Sequence, residues 1–258
     1  MPDEVLADVA DGVATVTLNR PERRNAMNAA LLSALGARFD ELDARSDVRV
    51  VVVRGAGPAF CAGMDLREME DRGGAPNDPE TDVVAVLRRI ERCRHPTIAL
   101  VQGDAIAGGC ALALHCDLRV AADVARFGMP LARIGLVVPF ALGRKLVEIV
   151  GPAEARLLLF TGRLIDAACA REIGMVHEVR PAAEAEAAAL ALARTIAANA
   201  PLSLLGMKAT ILRATPSVGD DVAHEDLDAL ARRARRSADA GEGRRAMLEK
   251  RAPRFRGE

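Results

Sequence analysis

The 258-residue chain has no tryptophan and no tyrosine, and six phenylalanines are its only aromatic residues. Proteins that bind single-stranded nucleic acid stack bases on aromatic side chains, and this chain has few to offer. Its 35 Lys and Arg residues nearly balance 36 Asp and Glu residues, for a net charge of −1. No overall charge therefore draws it to nucleic acid or to an anionic membrane. We expect neither kind of partner.

Cysteine is also sparse, with five residues scattered along the chain and no CxxC pair. This spacing predicts neither a disulfide framework nor a zinc site, and no metal is expected. The acidic start "MPDEVLADVADG" lacks the apolar stretch of a signal peptide. The longest uncharged apolar runs reach about half of the roughly 20 residues that a membrane helix needs. We therefore expect a reduced, cytoplasmic protein.

Hydrophobic patterns predict an α/β fold in which strands alternate with crossover helices, so that most strands are parallel. Beyond about residue 140 the strand signal fades, apart from 175–179. The predicted strands cover 13–18, 48–55, 97–103 and 118–122. The predicted helices cover 28–45, 65–70, 81–94, 108–116, 141–150, 152–161, 182–198, 201–213 and 220–250, and a loop is predicted over 72–80.

Two loops share a design that suggests a binding site. "FCAGMDL" (60–66) follows the strand 48–55, and "AIAGGC" (105–110) follows the strand 97–103. Each places a glycine where backbone N–H groups leave their strand partners, and the second loop opens a helix, which carries a positive dipole end. Two such N–H groups that converge would stabilise a developing oxyanion. The same residues also fit two ordinary strand-to-helix turns.

Several motifs together resemble the crotonase (enoyl-CoA hydratase/isomerase) family across essentially the whole chain. They are "NRPERRNAMN", "FCAGMDL", "GDAIAGGCALALHCDLRVA", "FGMP" and the terminal "EKRAPRF". The resemblance implies a spiral of ββα units over 1–200 and a helical region over 201–258 that builds a homotrimer or a dimer of trimers, a hexamer. It also implies an acyl-CoA thioester as ligand, a role in fatty acid metabolism, lyase or isomerase chemistry, and no cofactor besides the substrate's own coenzyme A.

By position, the resemblance assigns the oxyanion-hole donors to the backbone N–H groups of Met64 and Gly108. It places coenzyme A near Arg24, Ala26, Ala62, Asp65 and Leu66. Lys250 matches a position that reaches the coenzyme A phosphate of a neighbouring subunit. Its residue type suits that role, because cations pair with phosphate. The remaining residues expected to contact the substrate are Ile106, Ala111, Pro130, Leu131, Val138 and Pro139. Their apolar character predicts a long-chain or branched acyl group.

The carboxylates that family hydratases and isomerases use for proton transfer are missing. Ala111 and Leu131 occupy the two glutamate positions, and Pro139 occupies the aspartate position used by some relatives. None of these side chains transfers a proton. His115, one helical turn after Ala111, has a suitable pKa range, but a core histidine bonded to backbone is the better interpretation. Asp104 is better interpreted as a turn or cap residue.

Three hypotheses follow for function. The first is an enolate-stabilising enzyme with unusual acid/base chemistry, for which decarboxylation is one possibility because it needs no base. The second is a non-catalytic acyl-CoA-binding protein that has kept the pocket. The third is an interaction protein that acts through its helical surface. Ordinary hydratase activity is not expected under any of them.

Overall fold

A computed structural model of the chain describes residues 3–71, 79–215 and 225–256. Strands and α-helices are numbered separately in chain order. The strands are β1 (Val5–Ala10), β2 (Val13–Leu18), β3 (Val50–Gly55), β4 (Thr97–Val101), β5 (Ala105–Ile106), β6 (Leu118–Ala122), β7 (Arg126–Gly128), β8 (Ile165–Asp166) and β9 (Glu178–Arg180). The helices are α1 (Ala29–Ala44), α2 (Leu66–Asp71), α3 (Pro79–Arg92), α4 (Gly108–His115), α5 (Phe140–Thr161), α6 (Ala167–Glu172), α7 (Ala185–Ala197), α8 (Pro201–Ala214), α9 (Glu225–Arg236) and α10 (Ala238–Leu248).

The main sheet has six strands in the order β1-β2-β3-β4-β6-β9. The pair β1–β2 is antiparallel, and every other neighbouring pair in this sheet is parallel. The prediction of an α/β fold with mostly parallel strands is confirmed. Because parallel strands end at the same edge, the loops that follow β3 and β4 lie side by side.

A second, smaller sheet has three strands in the order β5-β7-β8, and its first strand follows β4 in the chain. Isolated parallel bridges join Cys61 to Ala105 and Met27 to Met64, so the loops after the main strands remain paired. These bridges fix the relative position of the segments around 61–64 and 105–108.

Helices cover both faces of the main sheet. Val51 and Val53 of β3 belong to a large core that includes α1, α3 and α4. Val50 and Val52, on the opposite face of the same strand, pack in a second core with the small residues of α7. A strand buried on both faces reads as a continuous apolar run, which explains the sequence "VVVV".

Local differences from the predicted elements have physical causes. β1 was not predicted, although "VLADVA" pairs with β2 in full register. The helix predicted over 220–250 is two helices, because Ser237 accepts the Ala240 N–H at 3.0 Å and caps a new start. Of the loop predicted over 72–80, residues 72–78 lie outside the described residues and Pro79 begins α3. The strand predicted over 175–179 corresponds to β9, which begins three residues later, at Glu178, and ends at Arg180.

Within the described ranges, no single helix is long and apolar enough to cross a membrane, and α7 with α8 would qualify only as a pair bent by 106°.

Candidate functional site

The loops after β3 and β4 approach each other so closely that only glycine fits at two positions. A Cβ atom at Gly103 would lie 1.9 Å from the Pro58 carbonyl oxygen, and one at Gly109 would lie 2.1 Å from the Cys61 carbonyl oxygen. Both distances are far below contact distance, so any side chain there would push the loops apart. The glycines therefore bring the backbones of the two loops together.

The bridge between Met27 and Met64 sets the direction of the Met64 N–H group. Met27 N–H donates to the Gly63 carbonyl at 2.7 Å, and Asp65 N–H donates to the Met27 carbonyl at 2.9 Å. The Gly63 carbonyl and the Met64 N–H belong to one trans peptide group and point in opposite directions, so the Met64 N–H points away from Met27. The start of helix α4 at Gly108 lies close to it.

The N–H groups of Met64 and Gly108 are close neighbours. A Cβ atom built on Gly63 would lie 3.3 Å from the Gly108 nitrogen, and one built on Gly108 would lie 3.8 Å from the Met64 nitrogen. Among the described residues, neither N–H group donates to a protein acceptor. Gly108 also opens α4, where the helix dipole is positive. Two free donors at one place form an arrangement that can receive an anionic oxygen.

Ala107 holds the Gly108 peptide in place with a strained backbone. Its φ of 50° and ψ of −115° lie in a region that residues with a Cβ atom rarely adopt. Its N–H donates to the Gly128 carbonyl at 2.8 Å, and its carbonyl accepts the Ala111 N–H at 3.0 Å. Strain of this kind costs about 1–3 kcal/mol and gathers at functional sites. Sequence reasoning missed Ala107, since alanine carries no signal for this conformation.

An apolar cavity of about 100 Å³ lies beside these two N–H groups. Its lining, as far as the described residues bound it, carries no titratable side chain. Residues that the sequence placed at the substrate and that lie in its wall are Ala62, Met64, Leu66, Ile106, Gly108, Pro130, Leu131 and Pro139. Residues of the wall that sequence reasoning missed are Met69, Val83, Ala107, Ile134, Leu136, Leu142 and Met247.

Ala111 and Val138, also expected at the substrate, are not among the described residues that form this wall, and their contact with the substrate stays a prediction. Ala111 is 1% exposed and belongs to the main core, because the first turn of α4 is packed against neighbouring elements. Val138 is partly buried against the same core.

Arg20 joins the segment around Ala26 to the segment that contains Met64 and Asp65. Its guanidinium donates to the Ala26 carbonyl and, at 3.2 Å from both terminal nitrogens, to the Asp65 carboxylate. A further ion pair with Glu4 spans 3.5 Å, and the Arg20 side chain is only 13% exposed. Asp65 and Ala26, expected at coenzyme A, are thus both held by one partly buried cation. Sequence reasoning noted the cationic cluster 20–24 without showing which arginine faces inward.

Arg24 and Lys250, the two cations expected at coenzyme A phosphates, lie at the surface. Arg24 is ion-paired with Asp104, which also accepts two hydrogen bonds from Arg126 at 2.8 and 2.7 Å. The Arg126 hydrogen bonds are the main reason that the pKa of Asp104 lies below its usual value. Asp104 is therefore an ion-pair residue, and the prediction of turn or cap duty is wrong. Lys250 is exposed.

His115 is a core histidine, as expected. Its Nδ1 atom lies 2.8 Å from the Ala111 carbonyl oxygen, and burial lowers its pKa. Cys61 and Cys110, beside the two donors, are fully enclosed, and burial raises the pKa of each thiol to about 12. Neither thiol is a nucleophile at neutral pH. Among the described residues, no group of three His, Cys, Asp or Glu side chains comes together to hold a metal ion.

Comparison with known proteins gives one consistent result. The family model for enoyl-CoA hydratase/isomerase matches residues 8–258. A probable enoyl-CoA hydratase of Mycobacterium bovis is 35% identical over 255 residues, which are 98% of each chain. A putative enoyl-CoA hydratase of Thermus thermophilus is 40% identical over 248 residues, 94% of this chain and 97% of that relative.

The fold also matches solved structures over its full length. A methylmalonyl-CoA decarboxylase in complex with 2-nitronate-propionyl-CoA is similar with a TM-score of 0.89 and 25% sequence identity, and 99% of each chain is covered. This likeness confirms the predicted crotonase-type fold with a helical C-terminal region.

Proposed function

The chain belongs to the enoyl-CoA hydratase/isomerase family, and on that premise we propose that it binds an acyl-CoA thioester and stabilises its enolate. The thioester oxygen accepts hydrogen bonds from the N–H groups of Met64 and Gly108. The acyl group enters the apolar cavity beside them. The observation that supports this most directly is the pair of N–H groups at the cavity wall for which the described residues provide no acceptor.

Decarboxylation is the reaction that fits this wall best. Hydration and double-bond isomerisation need a side chain within hydrogen-bond reach of a transferred proton, and the described cavity wall has none. In decarboxylation of a 2-carboxyacyl thioester, the bond from Cα to the carboxylate breaks and its electron pair forms the enolate. CO2 leaves, and the enolate then takes a proton from water. The likeness to methylmalonyl-CoA decarboxylase supports the same choice.

A non-catalytic acyl-CoA-binding protein is the second candidate. The observation in its favour is also the apolar wall, since a pocket without a proton-transfer group can bind a thioester and leave it unchanged. Turnover separates the two candidates, because both predict binding and only the first predicts loss of CO2.

Coenzyme A would extend from the cavity toward Ala26 and Arg24, and Lys250 would reach the phosphate of a neighbouring subunit's coenzyme A. Arg24 suits this role because its side chain remains 57% exposed while it is ion-paired. A trimer or a hexamer is proposed in addition. It is supported by apolar residues that α8 leaves exposed, namely Leu202, Met207 and Ile211.

The experiment that tests the proposal compares Gly108→Ala with Gly206→Ala. A methyl group at Gly108 would lie 2.5 Å from the Met27 Cε atom. The Met27 Cε atom is the end of a flexible side chain and can move aside, but the added methyl group would still lie 3.8 Å from the Met64 nitrogen, beside the two donors that would hold the thioester oxygen. At Gly206, in α8, an added Cβ atom meets nothing within 4 Å.

We expect Gly108→Ala to slow decarboxylation of malonyl-CoA or methylmalonyl-CoA by about 10²-fold or more, the effect of losing one oxyanion donor. Gly206→Ala should keep the wild-type rate. A folded Gly108→Ala protein with the wild-type rate would overturn the assignment of the two donors. Calorimetry that detects no binding of any CoA thioester would overturn both candidate functions.

A further inference from the structure

Helix α10, near the C-terminus, closes one side of the apolar cavity. Met247, in its last turn, lies in the cavity wall together with Leu66 and Met69 of α2 and with Ile134. These residues are far apart in the sequence, so the wall forms only when α10 docks on the rest of the chain. Met247 is 45% exposed and therefore stands between the cavity and solvent.

Close backbone packing fixes where α10 sits. A Cβ atom at Gly243 would lie 2.5 Å from the Ile134 backbone, so only glycine allows this approach. On the opposing segment, Gly135 has a φ of 69°, and a Cβ atom there would lie 2.9 Å from the Ala240 nitrogen. α10 and the 3-10 helix Pro130–Ile134 are therefore in direct backbone contact.

An ion pair fastens the same helix to α2. Arg244 Nε lies 2.7 Å from Glu70 Oε2, and the Arg244 side chain is 13% exposed. The helix is thus held on two sides of the cavity, by glycine packing at one side and by this ion pair at the other. Because these contacts fix the position of α10, the Met247 side chain forms a defined part of the cavity boundary.

The cavity, which is partly open to solvent, is small for an acyl chain. The cavity measures about 100 Å³, whereas an apolar cavity of about 150 Å³ holds benzene, which has six carbons. By that comparison, the site accommodates about four carbons. This volume favours a short or branched acyl group over the long chain that the sequence also allowed.

Resting on the proposed function, we propose that Met247 limits the acyl group to about four carbons, so that the site selects short-chain thioesters. A longer chain must displace the Met247 side chain. Methionine is unbranched and carries no strong hydrogen-bonding group, so its truncation to alanine opens the cavity toward solvent without leaving a polar partner unsatisfied.

The test is calorimetric titration of the full-length protein with butyryl-CoA and octanoyl-CoA. Wild type should bind butyryl-CoA at least about 10-fold more tightly, the discrimination that a small misfit in an apolar pocket gives. Met247→Ala should raise octanoyl-CoA affinity until the two ligands bind within about threefold of each other. Leu6→Ala, which truncates an apolar side chain of β1 that is 45% exposed like Met247, is the control and should behave as wild type.

Two results would overturn the role of Met247. One is wild-type protein that binds octanoyl-CoA as tightly as butyryl-CoA, and the other is a wild-type preference that Met247→Ala leaves unchanged. Met69→Ala opens the same wall from α2 and provides a second variant if Met247→Ala does not fold. Failure of both thioesters to bind wild type would instead refute the proposed function, and the present inference with it.

Discussion

Replacement of Ala107 by glycine should stabilise the protein, although Ala→Gly usually destabilises. At φ 50° and ψ −115°, the Ala107 Cβ atom costs the folded state about 1–3 kcal/mol. Glycine adopts this conformation without that cost, but it adds about 0.5–1 kcal/mol of chain entropy to the unfolded state. The balance is a gain of about 1 kcal/mol, within a range of about 0–2.5 kcal/mol.

For a chain of this size, a gain of about 1 kcal/mol raises the melting temperature by roughly 2–4 °C. Scanning calorimetry and urea denaturation of the wild type and the variant measure it directly. Ala113→Gly is the matched control, because Ala113 lies in the interior of α4 with its side chain fully buried. It makes the same chemical change and should destabilise by about 1 kcal/mol or more.

A loss of stability in Ala107→Gly that equals the loss in Ala113→Gly would refute the reasoning. It would mean that residue 107 is relaxed in the folded state and that the Gly108 N–H is not held by a strained turn.

Three further predictions concern the site and its surroundings. Arg20→Gln should destabilise by about 1–3 kcal/mol, since Asp65 loses its buried partner, and should slow thioester turnover, whereas Arg23→Gln, at an exposed position, should change neither. Burial lowers the pKa of His115 below 6.5 in the folded state. As pH drops below about 6.5, the unfolded state binds the proton first, so folding stability should fall. His115→Gln should reduce this dependence of stability on pH, measured by urea denaturation. Leu131→Glu should allow α-hydrogens of butyryl-CoA to exchange with D2O, an exchange expected to be absent from the wild type and from Leu131→Gln.

Patterns local in the sequence predicted most of the fold. The apolar run 50–53 and the strand at 97–101 predicted a buried parallel sheet, because a strand covered on both faces must be apolar throughout. The glycines at 63, 108 and 109 indicated where two loops meet, because close backbone approach requires them. The mostly parallel α/β sheet was predicted correctly on this basis. The crotonase-type fold was predicted correctly from the resemblance of the motifs to that family.

Features that depend on contacts between distant residues could not be predicted. The Arg244–Glu70 ion pair joins residues 174 positions apart, and it brings Met247 to the cavity. The same holds for Arg20, which cannot be told from its neighbouring arginines until Asp65 is placed beside it. Likewise, the sequence alone did not show how closely α4 packs against its neighbours at Ala111, which is 1% exposed.

The most direct test follows three thioesters in D2O with the wild-type protein. If the two N–H groups polarise the thioester and no side chain transfers a proton, the protein should decarboxylate malonyl-CoA or methylmalonyl-CoA. The product should then carry deuterium at Cα. Under the same conditions, butyryl-CoA should keep its α-hydrogens and crotonyl-CoA should not be hydrated. Rapid hydration of crotonyl-CoA, or rapid α-exchange of butyryl-CoA, would contradict the central claim, because either reaction requires a protein acid or base that the described cavity wall does not contain.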